Sequence, residues 1–257
     1  MKYEMLNLYH NYLLEKFSKT TARMYAHRLD ILLTGQSLIN PLANFDIEKV
    51  IENLAKIKHK NHFSQSKNSL LYFCKFQNIS VSKEAMNKIT SLEEKTKKKY
   101  RQLKPACFKT IENKINHLKN DKLRLSYQTM TKTGLRVSEL ASINLLDCDI
   151  SECEIVLSFT AKGGGKEVVS IVKSDDTKFF EKLLNLIKAT KSDEKIFYCV
   201  GYLQKKAKEY GFTSHDLRRG FAKKEYKITK SKNLVMEKLR HKSIKTTNIY
   251  LRSKVTI

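Results

Sequence analysis

Apolar and polar positions follow two regimes along this chain. In the first 95 or so residues the apolar positions recur every three to four. LNLYHNYLLEKF, TTARMYAHRLDILL, FDIEKVIENLAKI and HFSQSKNSLLYFCKF each gather them on one helical face. Thr20 or Thr21 is the expected cap of the second helix and Asp46 that of the third. Four or five short helices in this length predict a compact helical bundle.

Beyond residue 105 the pattern changes. Helical spacing over 106–119, 121–133 and 137–146 gives way to EIVLSFTA (154–161) and EVVSIV (167–172), joined by KGGGK. Three glycines between alternating apolar runs predict an antiparallel hairpin. Helical spacing returns over 175–190, 201–210, 215–226, 232–239 and 243–252. Between the two regimes lies EEKTKKKYRQLKP, poor in apolar residues and holding one of only two prolines, which reads as a linker. The expected organisation is a helical domain over 1–95, a linker over 96–105 and a second domain over 106–257. The fold class is mainly α, with one small antiparallel sheet in the second, mixed α/β domain.

Composition narrows the setting. No run of about 18 uninterrupted apolar residues is present to span a bilayer. The first residues, MKYEMLNLYHNYLLEKF, mix charges into the apolar positions, unlike a secretory leader. A soluble, cytoplasmic protein with no membrane partner is expected. Five scattered cysteines without a CxxC pair support neither a disulfide framework nor a zinc site, so reduced and mostly buried thiols are expected.

Charge adds a partner. Fifty Lys+Arg against 26 Asp+Glu give a formal net charge of +24, far beyond what solubility requires. Such an excess meets phosphates, because each neutralised phosphate releases condensed counterions. A lysine-rich genome would raise lysine without lowering the acids this far. The excess is uneven: residues 1–95 hold 14 basic and 9 acidic residues, and the remainder 36 and 17. The second part is the more phosphate-seeking.

Four groups of polar residues there can carry chemistry. In TGLRVSEL, Arg136 opens a helix with Glu139 one turn on, either a phosphate fork held by a carboxylate or an ordinary i,i+3 ion pair. In SHDLRRGF, Ser214 can cap a helix whose first turn presents His215 and Arg218 on one face, toward one phosphate or toward solvent. Lys162 and Lys166 bracket the hairpin glycines, where a lysine can swing into a groove and donate a proton or be an ordinary loop lysine of a lysine-rich chain. In LRHKSIKTTNIY, His241 precedes Tyr250 by nine positions, and a tyrosine on such a helix is ordinarily a packing residue with a wet hydroxyl.

Taken together, TGLRVSEL, AKGGGK, HDLRRGFA and LRHKSIKTTNIY resemble the tyrosine recombinases, or phage integrase family, over roughly residues 105–252. The last segment keeps the His, Ile, Thr-Thr and Tyr of the family's LGHxxIxTTxxY pattern. More weakly, FSKTTARMYAHRLDILL is similar to the start of the family's helical, SAM-like core-binding domain.

The resemblance implies a recombinase-like fold and a site-specific DNA recombinase or integrase that works through a 3′-phosphotyrosine intermediate. Tyr250 would be the nucleophile, Arg136 and Arg218 the phosphate clamp, and His241 a further phosphate hydrogen bond. His215 would be the general base and Lys162 the general acid, with Lys166 in reserve; Glu139 would orient Arg136. No cofactor and no metal is expected, since two guanidiniums and a lysine can supply the positive charge that metal ions supply in nucleases. The implied partners are double-stranded DNA carrying specific recombination sites and further copies of the chain, as a tetramer on DNA. The protein would be nucleoid-associated when bound.

Two departures stand out. Arg240 occupies the family's glycine position, where a left-handed backbone would cost arginine about 1 kcal/mol or more; alternatively the turn is remodelled and Arg240 reaches DNA. Only LRSKVTI follows Tyr250, so exchange of a terminal helix between protomers, and cleavage in cis or trans, stay open. The layout is the compact, Xer-like one. Two other functions remain compatible: relaxation of DNA in the manner of a type IB topoisomerase, and a catalytically silent DNA-binding accessory role.

Overall fold

The structure, a computed structural model, describes residues 2–35, 45–96, 106–161, 164–192, 194–253 and 255–256. It divides into two compact units, Met1–Gln102 and Leu103–Ile257. Most of the expected linker, residues 97–105, lies outside the described residues.

Among its described residues the first unit holds five helices: α1 (Lys2–Leu14), α2 (Lys19–Leu32), α3 (Ile47–Ala55), α4 (Lys60–Phe76) and α5 (Lys83–Lys95). Their apolar faces close on Tyr9, Leu13, Leu29, Leu54, Phe63 and Phe73. The Tyr9 hydroxyl donates to the Ser69 carbonyl at 2.7 Å, so its polar end is satisfied inside the core. Asp46 caps α3 as expected, accepting from Glu48 and Lys49. The cap of α2 is Ser18 rather than Thr20 or Thr21. A cap residue needs extended backbone, and Ser18 has it (ψ 151°), whereas both threonines already lie in the helix.

The second unit begins with β1 (Ala106–Cys107), followed by α6 (Phe108–Asn116), α7 (Asp121–Thr133) and α8 (Val137–Ser142). A three-stranded antiparallel sheet comes next, in the order β2 (Cys148–Ile150), β3 (Glu154–Thr160), β4 (Lys166–Val172). The expected hairpin is β3–β4, in register from Glu154 opposite Val172 to Thr160 opposite Lys166. Ile155, Leu157 and Phe159 alternate into the core, as one buried face requires. Strand β2 was not expected. The helical pattern read over 137–146 ends at Ser142, and a short 3₁₀ turn at Leu145–Asp147 leads into the strand.

Among the described residues there follow α9 (Thr177–Ala189), α10 (Val200–Glu209), α11 (Ser214–Thr229), α12 (Lys232–Lys238) and α13 (Ile244–Leu251), and then β5 (Val255–Thr256). Strand β5 pairs in parallel with β1, Val255 opposite Ala106, and Val255 is buried in its own unit. The cysteines correct the sequence reading: all are free, but Cys107, Cys153 and Cys199 are exposed. Cys107 and Cys199 precede helices and Cys153 lies in the turn before β3, positions without a core around them.

Helix α11 runs against α6 through a glycine. A Cβ on Gly220 would lie 1.9 Å from the ring of the fully buried Phe108. Gly220→Ala is therefore expected to lower the stability of this unit by about 1–3 kcal/mol through overpacking, seen as a lower denaturant midpoint.

Candidate active site

The site grows from helix ends. Helix α7 stops at Gly134, which takes the left-handed conformation (φ +65°). A Cβ there would also lie 2.5 Å from the Phe221 ring. The stop turns the chain so that Arg136 becomes the N-cap of α8. Its backbone N–H donates to Glu139 Oε2 at 2.8 Å, and its Nη1 donates to Oε1 at 2.5 Å. Glu139 is 2% exposed while the Arg136 side chain keeps 23%, so the carboxylate is buried and the guanidinium above it reaches solvent. This is a built pair rather than a surface i,i+3 bridge.

Helix α11 brings the next two groups. Its cap is Thr213, in a reciprocal capping box with Asp216; Ser214, the expected cap, is the first helical residue. His215 is exposed in the first turn. Arg218, on the same face, is 1% exposed. Arg218 Nη1 donates to the Gly134 carbonyl and Nη2 to the Leu239 carbonyl, while Nη1 also lies 3.9 Å from Glu139 Oε2. The guanidinium thus ties the ends of α7 and α12 together beside Arg136. Burial, then Arg136, lower its pKa, yet it stays cationic at neutral pH.

The turn between α12 and α13 supplies the rest. His241 is 7% exposed, its Nδ1 is 3.0 Å from Thr247 Oγ1, and its Nε2 is buried without a hydrogen-bond partner. Its ring meets that of Tyr250 edge to face, centroids 4.9 Å apart. The Tyr250 hydroxyl lies 3.5 Å from His215 Nδ1, the outer limit of a hydrogen bond. Arg219, held by Asp216 at 3.0 Å, lies over the Tyr250 ring. Arg240 has φ +54°, the left-handed backbone that glycine takes without strain. Its side chain turns inward.

Five of the six expected catalytic residues therefore converge: Arg136, His215, Arg218, His241 and Tyr250, with Glu139 beneath them. Lys162 lies outside the described residues. Lys166 starts β4, exposed, and makes no hydrogen bond or ion pair with the five. Reasoning from sequence missed Thr247, Arg219 and the two carbonyls. Thr247 was visible as part of the Thr-Thr pair, but its orientation was not. Among the described residues, no group of three or more His, Cys, Asp or Glu side chains is arranged to hold a metal ion.

The electrostatics follow from burial beside cations. Both imidazoles are pushed below the usual histidine range: His215 by partial burial and then Arg219 and Arg218, His241 down to about 4 by burial and then Arg218 and Arg136. Both are neutral at pH 7. The unfolded chain takes up a proton at His241 near pH 6.5 and the folded chain only near pH 4. The stability contributed by neutral His241 is therefore complete above about pH 6.5 and is lost as pH falls toward 4. Urea midpoints measured across that window should fall with pH, and His241→Asn should flatten the slope.

Comparison with known proteins gives a consistent picture. The family model described as "Phage integrase family" matches residues 96–256. Tyrosine recombinase XerA of Saccharolobus solfataricus is 32% identical over 147 residues, 54% of this chain and 49% of that protein, so the match spans about half the relative's length. Among solved structures, a lambda integrase tetramer bound to a Holliday junction superposes with TM-score 0.67 at 17% identity, covering 98% of this chain and 77% of that one. XerH site-specific recombinase bound to difH substrate, a pre-cleavage complex, gives 0.63 at 17% identity, covering 92% and 78%. At such identities the structural likeness shows the shared fold.

Proposed function

Because the chain belongs to the phage integrase family of tyrosine recombinases, we propose that it is a site-specific DNA recombinase or integrase that cleaves and rejoins duplex DNA through Tyr250. The observation that carries this reading is the cluster itself. Arg218 Nε and His241 Nε2 are buried N–H or ring nitrogens without partners, next to the solvent-reaching Arg136 and one tyrosine hydroxyl. Unpaired buried donors around a nucleophile suit a phosphodiester, whose charged oxygens would satisfy them.

In this reading the scissile phosphate sits on Arg136, Arg218 and His241. With the Thr247 hydroxyl donating to Nδ1, His241 carries its proton on Nε2 and gives it as a hydrogen bond to a non-bridging oxygen. The Tyr250 oxygen attacks phosphorus as neutral His215 takes the phenolic proton. The bond to the 5′ oxygen breaks, and that oxygen takes a proton from Lys162, or from Lys166 in reserve. The 3′-phosphotyrosine product conserves the phosphodiester, so a 5′ hydroxyl from another strand restores the backbone without ATP. Guanidiniums and lysine carry the charge stabilisation, with no metal or cofactor in the step.

The partner is duplex DNA, to which the net charge of +24 is suited. The helical first unit would bind it as a core-binding domain. Tyr250 faces His215 of its own chain, and β5 pairs within its own unit, which supports cleavage in cis. Four protomers would pair two sites and exchange strands through a Holliday junction. No helix among the described residues is long and apolar enough to cross a membrane, in keeping with work on DNA in the cytoplasm, at the nucleoid.

Incubation with sheared DNA of the source cell, followed by denaturation and sequencing of DNA attached to protein, tests this directly. The expected result is a covalent adduct at one short recurrent sequence, joined through the 3′ phosphate. Adducts spread without sequence preference, with relaxation of any plasmid, would replace the reading by a topoisomerase-like one. DNA binding without adduct would leave an accessory protein.

A further inference from the structure

Arg240 is a residue whose conformation and surroundings need a reason. It follows α12 with φ +54°, a left-handed backbone that costs L residues because Cβ crowds the carbonyl and that Lys230 also takes at the end of α11. Its backbone N–H closes the helix on the Glu237 carbonyl at 2.7 Å, a turn that glycine would make without strain. The side chain is nonetheless only 10% exposed. Its Nη1 donates to the Lys238 carbonyl at 3.0 Å, and the guanidinium lies over the Phe159 ring of β3, 5.1 Å from the centroid.

Its Nη2 lies 3.9 Å from Glu139 Oε2. That oxygen already accepts from the Arg136 backbone and is also 3.9 Å from Arg218 Nη1. One buried carboxylate thus faces three guanidiniums, and Nε and Nη2 of Arg240 have no hydrogen-bond partner. Three cations surround this one buried carboxylate, and with Glu167 also acting on Arg240 an excess of positive charge remains in a mostly water-excluded space. A bound phosphodiester, and still more its dianionic transition state, offsets that charge.

We propose that Arg240 is a positioning residue of the phosphate site. It lies 3.9 Å from the carboxylate that binds Arg136 and faces Arg218, offsetting the negative charge Glu139 sets against those two arginines, and it adds a third positive charge behind the scissile phosphate. The inference rests on the recombinase reading of the same site.

The test compares wild type with Arg240→Gly and Arg240→Lys on a nicked duplex bearing the recombination site, scored as covalent adduct per unit time. Arg240→Gly removes the strain and the charge together. Its cleavage rate should fall on the order of tenfold, less than for a donor that touches the phosphate, while noncovalent DNA affinity is retained. Millimolar guanidinium ion should restore much of the rate to Arg240→Gly, and Arg240→Lys should lie between the two. An unchanged rate in Arg240→Gly, or a loss that neither guanidinium nor lysine repairs, overturns the proposal and leaves Arg240 a turn residue.

Inorganic phosphate binding, followed by the shift in melting temperature, gives a readout apart from cleavage. Arg240→Gly should bind phosphate several-fold more weakly than wild type, and equal binding overturns the proposal. Should wild type form no adduct, the recombinase reading fails, and the phosphate comparison still decides whether Arg240 belongs to the anion site.

Discussion

Tyr250→Phe should leave fold and DNA affinity unchanged while covalent adduct formation falls by about 10⁴-fold or more, below detection in practice. The substitution deletes one oxygen. The Tyr250 ring keeps its edge-to-face contact with His241, and the lost hydroxyl had only the 3.5 Å approach to His215, so the change in stability should stay within about 0.5 kcal/mol. None of the other clustered groups can replace it: a guanidinium has no lone pair free for attack on phosphorus, and attack through a histidine would give a labile phosphoramidate. Gel-shift affinity and denaturant midpoint should match wild type, with no band shift after denaturation of the DNA complex. An adduct that survives in Tyr250→Phe would place the nucleophile elsewhere and sink the assignment.

Arg218→Ala is the second large effect, and it differs in kind because fold and chemistry fall together. The guanidinium is 1% exposed and satisfies the carbonyls of Gly134 and Leu239 while facing Glu139. Its removal strands two buried acceptors and withdraws a cation from a buried carboxylate, at a cost of about 3–5 kcal/mol. Cleavage should fall on the order of 10³-fold in conditions where the protein stays folded. Arg218→Lys separates the two contributions. An ammonium keeps the charge, but it has no planar fork to span both carbonyls and a phosphate. Much of the stability should return while cleavage remains down by about 10²-fold. Denaturant unfolding and single-turnover cleavage of both variants check this; an Arg218→Ala protein as stable as wild type would contradict the structural half.

How far the sequence foretold the site depends on the range over which each feature is set. The i,i+3 relations were legible because helix geometry alone places them: Arg136 with Glu139, and His215 with Arg218. The hairpin was legible because alternation and three glycines are local signals. The cap of α2 was misread by two or three positions because several hydroxyl residues stand side by side, and backbone angles choose among them. Strand β2 was missed because three residues carry too little periodicity to show a strand; pairing of Cys148 to Ile150 with β3 makes it one.

The sequence by itself determined the helical first unit, the hairpin in the second, the family and the set of candidate groups for the site, because these rest on short-range spacing and composition. Only the tertiary structure decided what each group touches. Arg218 joins carbonyls 84 and 21 positions away. Thr247 holds His241, Val255 lies beside the start of its own unit, and Arg240 turns inward to Glu139 and Phe159 instead of outward to solvent. A guanidinium goes where buried acceptors and an aromatic face await it. Those partners lie far along the chain, so no local pattern could reveal them before the unit had folded.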